Sequence, residues 1–121
     1  MQNSNANDVL RRVADVTEFL GIKLKSVNQV GIFGNTPLSV VISWEDYEAA
    51  TLLIEAGANV NAEVENGDTA LHRAVLFDQP KIVELLLGKG ASSTVKNGDG
   101  LTPLELAKIL DRAGVAELLA K

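Results

Sequence analysis

The sequence predicts an all-α fold, a short solenoid of like helix pairs joined by projecting hairpin-like loops. Three observations predict it. Thr36-Pro-Leu-Ser39, Thr69-Ala-Leu-His72 and Thr102-Pro-Leu-Glu105 begin 33 residues apart both times. The same offset relates Gly34, Gly67 and Gly100, and Leu52-Leu53, Leu85-Leu86 and Leu118-Leu119, with no gap from Gly34 to the end. Each period also carries the start and stop residues of two helices. A single unit of this kind cannot bury its own apolar face, so neighbours must stack.

The first element is a helix over 8–20. Val9, Leu10, Val13, Val16, Phe19 and Leu20 form the stripe of an amphipathic helix. Asp8 is its expected N-cap and Gly21 its expected stop. We expect this helix to cover the open face of the first unit. Residues 1–33 then form an N-terminal cap and a long loop. The stretch 21–35 is three residues longer than its counterpart 57–68.

Units follow at 34–66, 67–99 and 100–121. Thr36, Thr69 and Thr102 sit where a side-chain oxygen can take an orphan N–H of the first turn. Pro37 and Pro103 stand at the first helical position, where a missing N–H costs nothing. Helices are expected over about 37–44, 70–77 and 103–110, then turns at Glu45-Asp46, Asp78-Gln79 and Asp111-Arg112. Second helices are expected over about 47–56, 80–88 and 114–120. Pro80 fits because it lies in a first turn. Gly57 and Gly90 fall just past helix ends, where left-handed dihedrals are needed. Asn-Gly at 66–67 and 97–98 suits hairpin-like tips in the loops 58–68 and 91–101. Leu38, Leu71, Leu104 and the Leu-Leu pairs are expected to pack between units. The third unit should end the stack with Lys108 and Arg112 turned outward.

The pattern resembles the ankyrin repeat. The residues that carry the resemblance are Gly-x-Thr-Pro-Leu at 34–38 and 100–104 and Gly-Asp-Thr-Ala-Leu-His at 67–72, with Leu-Leu-Ile-Glu-Ala-Gly-Ala-Asn-Val-Asn-Ala at 52–62. It covers about 30–121. Unit 1 has Ser39 and unit 3 has Glu105 where the family has histidine, and unit 2 has Ala70 in place of proline. The loop after unit 2 reads Gly-Ala-Ser-Ser-Thr-Val. The resemblance implies a binding module rather than an enzyme. It also implies that His72 lies inside its helix turn, bonded to neighbouring backbone. A short chain of this pattern looks like small prokaryotic members of the family, some similar to immunity or regulatory partners of toxic enzymes.

Composition narrows the chemistry. The 121 residues contain no cysteine and one histidine, which excludes disulfides, thiolate zinc sites and multi-histidine metal sites. Aromatics are 4%, too few for a base-stacking platform. A net charge of −5 argues against unaided binding to nucleic acid or anionic membrane. The polar N-terminus lacks a secretory signal, and Leu38-Ser-Val-Val-Ile42 is too short to span a bilayer. The expectation is a cytoplasmic monomer without cofactor or metal. Asn97-Gly-Asp-Gly100 fails as a calcium loop, because Val95 and Leu106 would fall at its end positions. A hydrolase reading would use His72 with surface carboxylates, but no nucleophile or orienting partner stands in the pattern.

Charge and exposure point to a partner protein. Ser26 to His72 contains no Lys or Arg but seven acids: Glu45, Asp46, Glu48, Glu55, Glu63, Glu65 and Asp68. Two readings stand: a solvated face, or a footprint for a basic partner such as a basic nuclease to be capped. Trp44, Phe77 and Leu110 recur at one offset near the first helices' ends, beside Ser43, Leu76 and Ile109. For Leu76 and Ile109 we expect packing on the stack; for Trp44 and Phe77, packing and partner contact weigh alike. Ile32, Phe33, Asn35, Trp44, Phe77 and Leu110 are the candidate contact groups. Glu45, Asp46, Glu63, Glu65 and Asp68 are the candidate charges.

Overall fold

The computed structural model describes residues 5–14, 27–31 and 34–121. Its elements are α1 (Ala6–Ala14), α2 (Pro37–Ser43), α3 (Tyr47–Glu55), α4 (Ala70–Leu76), α5 (Pro80–Gly88), α6 (Pro103–Ile109) and α7 (Ala113–Ala120), with one 3₁₀ turn at Glu65–Gly67. No strand occurs among the described residues. α2, α4 and α6 stack side by side as an inner row, and α3, α5 and α7 form an outer row behind them. α1 packs on both α2 and α3 through Val9 and Val13, which are fully buried. Val16, Phe19, Leu20 and Gly21 lie outside the described residues.

Every inner helix begins with the same reciprocal cap, built from three different side chains. Thr36, Thr69 and Thr102 hydroxyls accept from the amides of Ser39, His72 and Glu105 at 3.3, 3.5 and 3.2 Å. Ser39 Oγ, His72 Nδ1 and Glu105 Oε1 accept in return from the threonine amides at 3.1, 3.0 and 2.9 Å. The departures at 39 and 105 therefore keep the cap, because the job needs only an acceptor at the third helical position. At α1 the expectation fails by three residues. Asn5 is the cap and Asp8 its third-position partner: Asp8 N–H donates to Asn5 Oδ1 at 3.0 Å and Asn5 N–H to Asp8 Oδ2 at 3.2 Å. Both residue types cap helices, and the reciprocal pair fixes which one does.

The inner helices end one residue earlier than expected, at 43, 76 and 109, and α7 starts one residue earlier, at Ala113. Glu45, Asp78 and Asp111 then take left-handed dihedrals, with φ of 59°, 53° and 58°, to turn the chain into the outer helix. The hairpin-like tips repeat too. Gly31, Val64 and Asn97 donate to the carbonyls of Asn35, Asp68 and Leu101 at 2.8, 2.7 and 3.0 Å, closing each tip.

The core runs the length of the stack. Leu38, Leu71, Leu53 and Leu86 are buried, and the first member of each Leu-Leu pair lies half-buried at the edge. Burying such a side chain contributes about 1.5–3 kcal/mol. Polar ties join the units along the loops. Asn28 spans Gly57 O and Asn59 N at 3.2 and 2.8 Å. Asn61, 33 residues on, spans Gly90 O and Ser92 N at 3.3 and 2.7 Å.

Candidate functional site

The inner row leaves its C-terminal ends and the tips uncovered. Leu76 is 40% exposed and Ile109 65% exposed, with Ser43 at the matching place on α2. This corrects the expectation that Leu76 and Ile109 pack on the stack. The helix stops at 76, and Phe77 follows as a C-cap with φ −93° and ψ 7°. That geometry turns Phe77 back onto the core, where it lies half-buried. Leu110 is likewise half-buried. The apolar row thus falls one position before the expected stripe on units 2 and 3. Trp44 sits at its upper end, 36% exposed, with the Arg12 guanidinium 5.1 Å from its ring centre. Such a cation–π contact contributes about 0.5–1 kcal/mol at an exposed site.

The acids divide into those exposed to solvent and those drawn into caps or the interior. Glu45, Glu63 and Glu65 are exposed, as are Glu48 and Glu55. Asp46 caps α3 by accepting from Ala49 N–H at 3.0 Å and pairs with Arg12 at 3.0 Å. The Ala49 amide, aided by Arg12, holds its carboxyl below the usual aspartate range. Asp68 is buried, contrary to its expected place as a surface charge. Its two oxygens accept from Arg73 Nε at 3.0 Å and Asn97 Nδ2 at 2.9 Å. Asn35 is buried as well, in the segment leading into α2, and so is not a surface contact group. Ile32 and Phe33 lie outside the described residues.

Two features escaped the sequence reading. Asp78 and Asp111 stand at the Glu45 position of the next two units, so one exposed acid occurs at every turn of the stack. Their common offset of 33 was the available signal. Arg112, expected outward, instead reaches across units and donates from Nη2 to Leu76 O at 3.2 Å, satisfying a carbonyl at the α4 C-terminus. Gln79 makes the matching tie one unit earlier, donating to Glu45 Oε1 at 2.6 Å.

His72 has no access to solvent. Its Nδ1 accepts from Thr69 N–H, so Nε2 carries the proton and donates to Leu101 O at 2.8 Å. Both ring nitrogens are committed to backbone, one in its own cap and one in the next unit. The side chain of Asn97 is similarly engaged, with Oδ1 accepting from Asp99 N and Leu101 N at 2.9 and 3.1 Å. Among the described residues no cluster of three or more His, Asp or Glu is placed to hold a metal ion. No helix among them is long and apolar enough to cross a membrane.

This is the architecture of a helical-repeat protein with an open inner face. The ankyrin-repeat family profile, described as ankyrin repeats in three copies, matches residues 9–97, and the chain belongs to that family. An ankyrin repeat protein of Rickettsia bellii (strain RML369-C) is 38% identical over 58 residues, or 48% of this chain. The matched segment is 8% of that relative's length. Ankyrin repeats generally mediate protein–protein interaction, and the family is typically non-enzymatic.

Proposed function

We propose that this chain binds another protein on the face made by α2, α4 and α6, with the turns at their C-terminal ends and the tips that lead into their N-terminal ends, and that the partner presents a basic surface. One observation carries the reading. Leu76 and Ile109 expose apolar surface one repeat apart, Trp44 stands exposed one position past the matching Ser43 of the first unit, and Glu45, Asp78 and Asp111 run beside them. Large apolar groups inside a polar rim describe a protein interface better than a solvated face does. The acids would speed encounter with a cationic partner, and the apolar groups would slow its departure. Inhibition of a basic enzyme by occlusion is one form such a contact takes. No bond is made or broken in it.

The test is affinity capture from cells that contain the protein, read by mass spectrometry. The wild-type chain is compared with Trp44→Ala and Ile109→Ser. The expected result is a basic protein retained at low salt, depleted by both substitutions while the helical circular dichroism is unchanged. Equal recovery by all three chains would overturn the reading. Unfolding of Trp44→Ala would assign Trp44 to the core, and Ile109→Ser would then decide alone.

A further inference from the structure

We propose that Asn66 is a site of spontaneous deamidation in the folded chain, and that its conversion to aspartate or isoaspartate loosens the joint between the first and second units. The inference does not depend on what the inner face binds. Two Asn-Gly pairs stand in similar local sequence, Glu65-Asn66-Gly67-Asp68 and Lys96-Asn97-Gly98-Asp99. In each, the glycine amide is a nucleophile with no side chain in its way. Its proton passes to solvent, its nitrogen bonds to the asparagine Cγ, and the side-chain nitrogen leaves as ammonia with a proton from water. Water then opens the cyclic imide at either carbonyl, giving aspartate or isoaspartate. One water is consumed and one ammonia released, with no change of oxidation state.

The fold treats the two pairs differently. Asn66 is exposed and Asn97 is buried. At the Asn66 ψ of 18° the Gly67 nitrogen does not face Cγ, so the turn must first open. Opening breaks the bond from Asn66 Nδ2 to Asp99 Oδ2 at 3.1 Å and that from Gly67 N–H to Val64 O at 2.9 Å. At Asn97 it breaks more. The side chain accepts from the amides of Asp99 and Leu101 and donates to Asp68 Oδ1, and the carbonyl of Asn97 accepts from Gly100 N–H at 2.9 Å. The bond from Gly98 N–H to Asn66 O is lost in both cases. The two further bonds at Asn97, at the ordinary net worth of such bonds, slow its opening by about tenfold or more relative to Asn66.

The product bears on the joint itself. Asn66 Nδ2 is the donor that ties the first tip to Asp99 of the second. Aspartate at 66 replaces that donor with a carboxylate, so a hydrogen bond becomes a repulsion between like charges in contact. Isoaspartate does more. It routes the main chain through Cγ and so moves the peptide carbonyl to which Gly98 donates. Both products therefore weaken the contact between units 1 and 2 and leave the joint between units 2 and 3 untouched.

The experiment incubates the full chain at neutral pH, folded and unfolded in urea, and follows conversion at 66 and 97 by mass-spectrometric peptide mapping. In urea the two sites should convert at comparable rates, because their neighbours are alike. In the folded chain the ratio of the Asn66 rate to the Asn97 rate should exceed the urea ratio by at least about tenfold, equivalent to about 1.4 kcal/mol. A folded ratio equal to the urea ratio would mean that both sites react only through global unfolding, and would overturn the proposal. Faster conversion at Asn97, or no conversion at Asn66 while the unfolded chain converts fully, would overturn it too. The effect on the joint is read from Asn66→Asp, which should lower the urea unfolding midpoint. Adding Asp99→Asn to that variant should restore the midpoint by supplying a donor to the new carboxylate. A wild-type midpoint for Asn66→Asp, or no recovery in the double variant, would overturn the loosening.

Discussion

The amide of Gly98 donates to the carbonyl of Asn66 at 2.7 Å, joining the tips of two successive units. A Cβ at position 98 would lie 2.9 Å from that carbonyl oxygen and 2.7 Å from Asn66 Oδ1. The contact admits no side chain, and glycine is the residue that lets the tips close on each other.

Gly98→Ala is therefore expected to destabilise the fold by about 1–3 kcal/mol, the range for overpacking a close contact. Gly114→Ala serves as its control, since nothing lies within 4 Å of a Cβ there and the residue is in α7. That change should leave stability unaltered or raise it by up to about 1 kcal/mol, the helix preference of alanine. Urea unfolding midpoints of the two variants check the pair. Equal midpoints would mean that the tips do not bear on stability.

His72 ties unit 2 to unit 3 as well as capping its own helix. His72→Ala leaves the Thr69 amide and the Leu101 carbonyl without their partner and opens a cavity. The expected loss is about 2–4 kcal/mol, from buried polar groups left unpaired together with lost packing. His72→Ser restores the cap in the manner of Ser39 but cannot reach Leu101. It should recover about 1 kcal/mol of that loss, the usual worth of a cap. Denaturant titration distinguishes them, and an alanine variant as stable as wild type would refute the tie.

Much of this arrangement was legible in the sequence because it repeats. The threonine caps, the glycines at 34, 67 and 100 and the Leu-Leu pairs each recur at one offset, so three weak local signals become one strong one. What stayed hidden depends on single-residue boundaries and on contacts across units. Leu76 and Ile109 are exposed because the helices stop there and the following residue turns back, a geometry that no composition rule fixes. Asp68 reads as a surface acid until Arg73 and, from the far end of the same unit, Asn97 close over it. Asn5 and Asp8 are both cap formers, and only their reciprocal bonds assign the roles.

Acid should loosen the stack from two caps. Asp46 is held below its ordinary range first by the Ala49 amide and then by Arg12. Glu105 is lowered by the Thr102 amide and then the Thr102 hydroxyl. A carboxylate whose folded pKa is depressed contributes stability that is fully present above its unfolded pKa. That contribution is lost as pH falls through the folded value. Asp46→Asn and Glu105→Gln keep hydrogen-bonding caps without the titration. The double variant is expected to show a shallower fall in melting temperature from pH 6 to pH 3 than wild type. Parallel curves would place the acid sensitivity elsewhere.

The central claim is that stacked like units leave their inner face free to hold another protein. Hydrogen–deuterium exchange of the chain with and without its captured partner tests it most directly. Added protection is expected over 36–46, 69–79 and 102–112, in step along the three units, and none over the outer helices α3, α5 and α7. Protection confined to the outer helices, or to one unit alone, would contradict it.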